Sequence, residues 1–161
     1  MQNCWTYRYI ERRLLVVAMN HPINSGSFQS TAPQFSTIEL FAGAGGLALG
    51  VEKAGFHTLA LIELDKDAAN TLKTNRPAWN VICDDIANIS PLNLTEYFHL
   101  QSGELDLLSG GAPCQAFSYA GKRLGLEDAR GTLFYHYAVF LQKLQPKTFL
   151  FENVRGLLTH D

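Results

Sequence analysis

Residues 37–62 read TIELFAGAGGLALGVEKAGFHTLALI, and the fold class follows from this run. Thr37 to Phe41 is a short apolar stretch of strand length. Gly43 to Gly46 is a glycine turn. Leu47, Val51 and Ala54 then recur at helical spacing, and Gly55 is placed to stop that helix. Thr58 to Ile62 is a second apolar strand. A strand, a tight turn, a helix and a strand in succession imply a right-handed crossover between parallel neighbours.

The same alternation continues toward the C-terminus. Lys66 to Asn75 is helix-like and is closed by Arg76-Pro77. Asn80 to Cys83 predicts a third strand and Leu105 to Ser109 a fourth. Leu133, Tyr137, Phe140, Leu141 and Leu144 mark another helix, ended before Pro146, and Thr148 to Phe151 predicts a fifth strand. The fold class expected is α/β, an open, doubly wound, mainly parallel sheet. Toward the N-terminus the pattern fails. Asn20 to Ser36 is rich in Ser, Asn, Pro, Gln and Thr, so residues 1–36 are expected to form a poorly ordered leader, with Tyr7 to Val17 a short helix or strand inside it. Residues 37–161 form one domain.

Bulk composition narrows the class. The 161 residues are 47% hydrophobic and 17% charged, as in a globular protein. The formal net charge is −2, so the basic surplus that drives nucleic-acid affinity is either local or absent from this chain. Three cysteines, Cys4, Cys83 and Cys114, make neither a disulfide framework nor a zinc site. They suit a reducing cytoplasm, and no metal ligand set is predicted. Leu14 to Met19 is too short for a signal-peptide core or a membrane span.

In a doubly wound sheet, ligands bind beyond the carboxyl ends of the strands. That rule gathers Gly43-Ala44-Gly45-Gly46, Glu63, Asp84 and Asp85, the loop Gly110-Gly111-Ala112-Pro113-Cys114-Gln115, and Glu152-Asn153 on one rim. Gly43, Gly45 and Ala48 have the spacing G-x-G-x-x-G/A, which lets a backbone approach a ligand closely. Glu63, 18 residues beyond Gly45, is placed to accept from ribose hydroxyls, and Asp85 from an adenine amine. The spacing alone serves a nicotinamide dinucleotide as well as S-adenosylmethionine.

A second group lies on the same rim. Free cysteines are usually small buried hydrophobes, and Cys83, within a strand, is expected to be one. Cys114 instead follows Pro113 in a glycine-rich loop, which presents the thiol on a stiffened turn where nucleophiles occur. Glu152, 38 residues later, emerges from an apolar strand, which favours a protonated acid. A thiol beside a proton donor suits addition to an activated double bond, such as C6 of cytosine once N3 is protonated.

Phe41-Ala42-Gly43-Ala44-Gly45-Gly46, Gly111-Ala112-Pro113-Cys114-Gln115-Ala116-Phe117-Ser118 and Glu152-Asn153-Val154 resemble three signature blocks of the DNA cytosine-5 methyltransferases. The resemblance runs from Thr37 to Asp161. It implies a Rossmann-like sheet of the S-adenosylmethionine-dependent methyltransferase type, truncated after the fifth strand, in a cytoplasmic enzyme of restriction-modification. It implies that Phe41, Ala42, Gly43, Gly45, Gly46 and Pro113 line the cofactor, that Glu63 holds the ribose, and that Leu64 and Ile86 sandwich the adenine with Asp85 at its amine. The family often has tryptophan where this chain has Leu64. The resemblance further implies that Cys114 attacks C6 of a cytosine flipped from double-stranded DNA, that Glu152 protonates N3, and that Asn153 positions the Cys114 loop. The stretch from Gln115 to Gly131, with Gly121, Gly125, Lys122, Arg123 and Arg130, is expected to be a lid that closes on phosphates.

The family's Gln-x-Arg-x-Arg block and target-recognition region do not occur in these residues. The chain is therefore expected to need a complementing C-terminal part, and Thr148 to Phe151 is expected to be an unpaired apolar edge. A non-catalytic remnant and an RNA cytosine-5 methyltransferase are the competing readings.

Overall fold

The structure is a computed structural model, and it describes residues 6–10, 13–19, 35–112 and 131–154. Along the described chain run β1 (Thr6–Ile10), β2 (Arg13–Met19), β3 (Phe35–Leu40), α1 (Gly46–Lys53), β4 (Phe56–Glu63), α2 (Lys66–Asn75), β5 (Val81–Cys83), α3 (Ile86–Ile89), α4 (Leu94–Tyr97), β6 (Leu107–Gly110), α5 (Gly131–Leu144) and β7 (Thr148–Val154). The strands form one sheet in the order β1-β2-β7-β6-β3-β4-β5. From β7 to β5 all pairings are parallel, so five strand ends share one rim.

Alternation along the strands builds two cores. Ile38 and Leu40 of β3, Ala60 and Ile62 of β4, Leu108 of β6 and Phe151 of β7 face α3, α4 and α5, where Ile86, Ile89, Leu94, Tyr137, Phe140 and Leu144 are buried. Leu61 and Val81 face the other way, against Ala48 of α1 and Ala69 and Leu72 of α2. Helices on both faces explain why these strands are apolar throughout rather than alternating. α2 is started by Asp65, whose side chain accepts from the Ala68 amide at 2.8 Å. Tyr137 places its hydroxyl 3.0 Å from the Leu108 carbonyl and 3.2 Å from that of Leu150. It thereby clamps β6 to β7, the two strands that lead to the Cys114 loop and Glu152.

Several expectations are corrected. Within the span expected to be a leader, Thr6–Ile10 and Arg13–Met19 are antiparallel strands, in keeping with the helix-or-strand reading of Tyr7 to Val17, and β3 begins at Phe35 rather than Thr37. Thr148 to Phe151 is not an unpaired edge, because β2 runs antiparallel beside β7 from Met19↔Thr148 to Arg13↔Val154. The apolar run Leu14 to Val17 satisfies backbone groups that β7 would otherwise leave open. Cys83 is exposed rather than buried, since it ends the three-residue edge strand β5. Gly131 belongs to α5 rather than to a loop. The rest of the proposed lid, 115–130, lies outside the described residues.

Candidate functional site

The first strand end is unusual at the backbone. Phe41 follows β3 with φ 57°, a left-handed conformation that bulky residues rarely adopt and that is often found at functional sites. Gly43 and Gly45 continue the turn at φ 54° and 90°. Nothing lies within 4 Å of where a Gly43 side chain would stand, whereas a Gly45 Cβ would come within 2.5 Å of Leu72 Cδ2. Gly45 is thus spent on packing α2 against the turn, and Gly43 is left open to solvent or ligand. Gly45 and Gly46 begin α1, and Ala42 is buried in the core under α1 and α2.

Glu63, half-buried at the end of β4, braces this turn. Its Oε2 accepts from the Gly43 amide at 2.6 Å and its Oε1 from the Asp65 amide at 2.8 Å. The carboxylate therefore ties the glycine turn to the start of α2. After β5, Asp84 Oδ1 accepts from the Asp85 amide at 2.7 Å and from Asn88 Nδ2 at 2.8 Å. Asp85 caps α3 through Oδ1, which accepts from the Ala87 amide at 2.9 Å. Both aspartates are held in place by local caps.

These strand ends enclose a cavity of about 730 Å³, bounded by Phe41, Gly43, Ile62, Glu63, Leu64, Asp65, Lys66, Asp67, Asp84, Asp85, Ile86, Gly111 and Leu133. The volume is within the range of small-molecule sites. Of the predicted cofactor residues, Phe41, Gly43, Glu63, Leu64, Asp85 and Ile86 bound it. Ala42, Gly45 and Gly46 build the turn beneath it instead. Pro113 and Cys114 lie outside the described residues. Asp65, Lys66, Asp67 and Leu133 were not anticipated. The first three follow from Asp65 being a helix cap at a strand end, a signal present in the sequence. Leu133 depends on where α5 crosses the rim, which has no local signature.

Two further groups lie nearby. Glu39 in β3 is 2% exposed. Burial raises its pKa to about 7, against weaker lowering by the Ser109 hydroxyl and the Ala48 amide. The Ala48 contact ties Glu39 to the first turn of α1. Burial likewise pushes the Tyr137 phenol up, with Glu39 as a second cause. The sequence gives no warning of Glu39, because one acid in an apolar strand looks like a solvated strand position. Glu152 of β7 is half-buried, and its Oε2 would lie 2.7 Å from a Cβ built on Gly111. The proposed acid therefore rests against a residue that also bounds the cavity. Asn153 stands opposite Leu14 of β2.

Among the described residues, no group of three or more His, Cys, Asp or Glu is placed to hold a metal ion. No helix of the described residues is long and apolar enough to cross a membrane.

Residues 35–161 match the family model of the C-5 cytosine-specific DNA methylases. Over 127 residues the chain is 58% identical to the type II methyltransferase M.Sau96I of Staphylococcus aureus, covering 79% of this chain and 29% of that protein. Over 121 residues it is 42% identical to the type II methyltransferase M.AquIA of a Picosynechococcus species, covering 75% and 49% respectively. Among solved structures, an Escherichia coli prophage protein described as a DNA modification methyltransferase superposes with a TM-score of 0.64 at 34% identity, covering 79% of this chain and 34% of that one. Spodoptera frugiperda DNMT2 shares the fold, with a TM-score of 0.58 at 23% identity. The chain spans less than half the length of each of these relatives.

Proposed function

Since this chain belongs to the C-5 cytosine-specific DNA methylases, we propose that it is the cofactor-binding and acid-bearing part of an enzyme that methylates C5 of cytosine in DNA with S-adenosylmethionine. The observation that carries the proposal is the shared wall between cavity and acid. Gly111 bounds the cavity, and the Glu152 carboxylate lies against Gly111, 2.7 Å from where its Cβ would stand.

The cavity's chemistry fits this cofactor. Leu64 and Ile86 offer apolar surfaces suited to the two faces of adenine. Glu63 offers a carboxylate to ribose hydroxyls, and Asp84 and Asp85 offer acceptors for an exocyclic amine. Among the described residues, the rim carries Glu63, Asp65, Asp67, Asp84 and Asp85 against Lys66. Such a rim suits a cationic sulfonium and ammonium better than the pyrophosphate of a dinucleotide, which supports the reading of S-adenosylmethionine as the ligand. When bound, the cofactor supplies an electrophilic methyl group.

The chain's own residues supply the rest. Cys114, as thiolate, forms a bond to C6 of a flipped cytosine while Glu152 gives a proton to N3. The electron pair moved toward C5 makes that carbon nucleophilic enough to accept the methyl. Loss of the C5 proton and return of the N3 proton to Glu152 expel the thiolate, which divides one hard substitution into easier steps. Catalysis requires the portion of the relatives' length that this chain does not span, in the same polypeptide or in a second one, since most DNA-gripping cations must come from there.

Mechanism-based trapping tests the proposal. With S-adenosylmethionine and duplex DNA bearing 5-fluorocytosine, a denaturant-stable adduct forms, in the presence of a complementing C-terminal part where the chain alone yields none. Cys114→Ser abolishes it, and Glu152→Gln slows its formation by about 100-fold or more. An adduct that survives Cys114→Ser sinks the assignment.

A further inference from the structure

We infer that Gly111 is a positioning residue for Glu152: the absence of a side chain at 111 makes the space in which the acid's carboxylate is seated beside the cavity. The inference rests on the reading of Glu152 as the proton donor and adds a residue to which no role in the chemistry has been given.

The geometry is steric and local. A Cβ at Gly111 would lie 2.7 Å from Glu152 Oε2, 3.2 Å from the Glu152 carbonyl oxygen and 3.4 Å from its Cβ. The first distance is far inside van der Waals contact, while the others are tight but tolerable. The backbone of β7 has little freedom to retreat. Phe151 is paired with Gly110 of β6 on one side, and Glu152 is paired with Leu15 of β2 on the other. The group that must give way is therefore the carboxylate.

Nor does the backbone need glycine at this position. Gly43, Gly45, Gly55 and Gly103 adopt positive φ, and Gly111 does not. An alanine at 111 thus presses on the carboxylate's seat without left-handed strain. Gly110 makes the contrast. A Cβ there would come within 2.6 Å of the Leu40 carbonyl oxygen, so its substitution would press on the β3–β6 ladder itself. The two adjacent glycines have different duties: Gly110 admits the neighbouring strand, and Gly111 admits the acid. Gly111 also bounds the cavity beside Phe41 and Glu63 and precedes Cys114 by three residues. Displacing the carboxylate by even about 1 Å moves the proton donor relative to a base bound there, a displacement worth on the order of 100-fold in rate.

The experiment follows Glu152 directly, by its side-chain carboxyl carbon resonance in the full chain. Gly111→Ala displaces that resonance from its position in the parent chain. The melting temperature falls by roughly 3–10 °C, as expected for one added methyl in a packed site. Glu152→Ala in the same chain removes most of that fall. Where Gly111→Ala alone fails to fold, recovery of the fold in the Gly111→Ala/Glu152→Ala double variant supports the inference. An unmoved resonance in a folded Gly111→Ala protein overturns it. So does a melting penalty that persists in full when Glu152 is removed, or a double variant that remains unfolded. Failure of the parent chain and its complement to trap 5-fluorocytosine while the resonance still responds leaves the seat of the carboxylate established and discards only the methylation chemistry.

Discussion

At the residue scale, Glu39 carries the clearest consequence. A carboxyl whose pKa burial raises from 4.5 to about 7 is bound by its proton more tightly folded than unfolded. Its contribution is fully favourable below about pH 4.5 and is lost as pH rises through about 7. The span corresponds to about 3 kcal/mol. Glu39→Gln keeps an oxygen for the Ala48 amide and removes the titration. The variant is therefore expected to match the parent in stability near pH 4 and to exceed it by up to about 3 kcal/mol at pH 8. Chemical denaturation at both pH values checks this; an identical pH dependence for variant and parent would show that Glu39 does not titrate in this range. The retention of an acid at such a position is consistent with its place beneath the glycine turn, where it holds α1.

At the scale of elements, β3 and β4 show an avoidable loss. Thr37 and Thr58 stand opposite one another, both buried, and neither hydroxyl has a hydrogen-bond partner. A β-bulge follows this pair directly, with Ile38 opposite Ala60. Valine has the same shape without the polar atom, so Thr37→Val and Thr58→Val are each expected to stabilise by about 1 kcal/mol. Denaturant midpoints measure the gain, and a loss in both would place an unseen partner at these hydroxyls. Elements of this kind were largely legible in the sequence. The five parallel strands announce themselves as apolar runs between glycine, proline and helical periods, and the strand-end rule then brings Gly43, Glu63, Asp85 and Glu152 to one rim. What escaped has physical reasons. α3 and α4 have four residues each, too few to show a helical period. The hairpin β1–β2 pairs with β7, more than 120 residues away along the chain, and no local pattern encodes such a partner. Cys83 is apolar in context but ends an edge strand, so exposure was decided by sheet order rather than by residue type.

For the whole molecule, sheet order also decides association. The hairpin covers the full length of β7, whose outer edge carries Phe149, Leu150 and Phe151. Without β2 that edge of the seven-residue strand would present open N–H and C=O groups from its alternate residues, a template for pairing with another chain. Deletion of residues 1–19 is expected to raise the light-scattering mass with concentration and to lower the melting temperature relative to the full chain. Because β7 also carries Glu152, the deletion should reduce trapping of 5-fluorocytosine beyond any loss of folded protein. A shortened chain with the parent's mass, melting temperature and trapping would mean that β2 adds nothing to the edge it covers. The expected defects instead tie the N-terminal hairpin to the acid. The sheet that positions the site is stabilised at β7 from both sides, by β6 through parallel pairing and by β2 through antiparallel pairing, and the acid sits where these two supports meet.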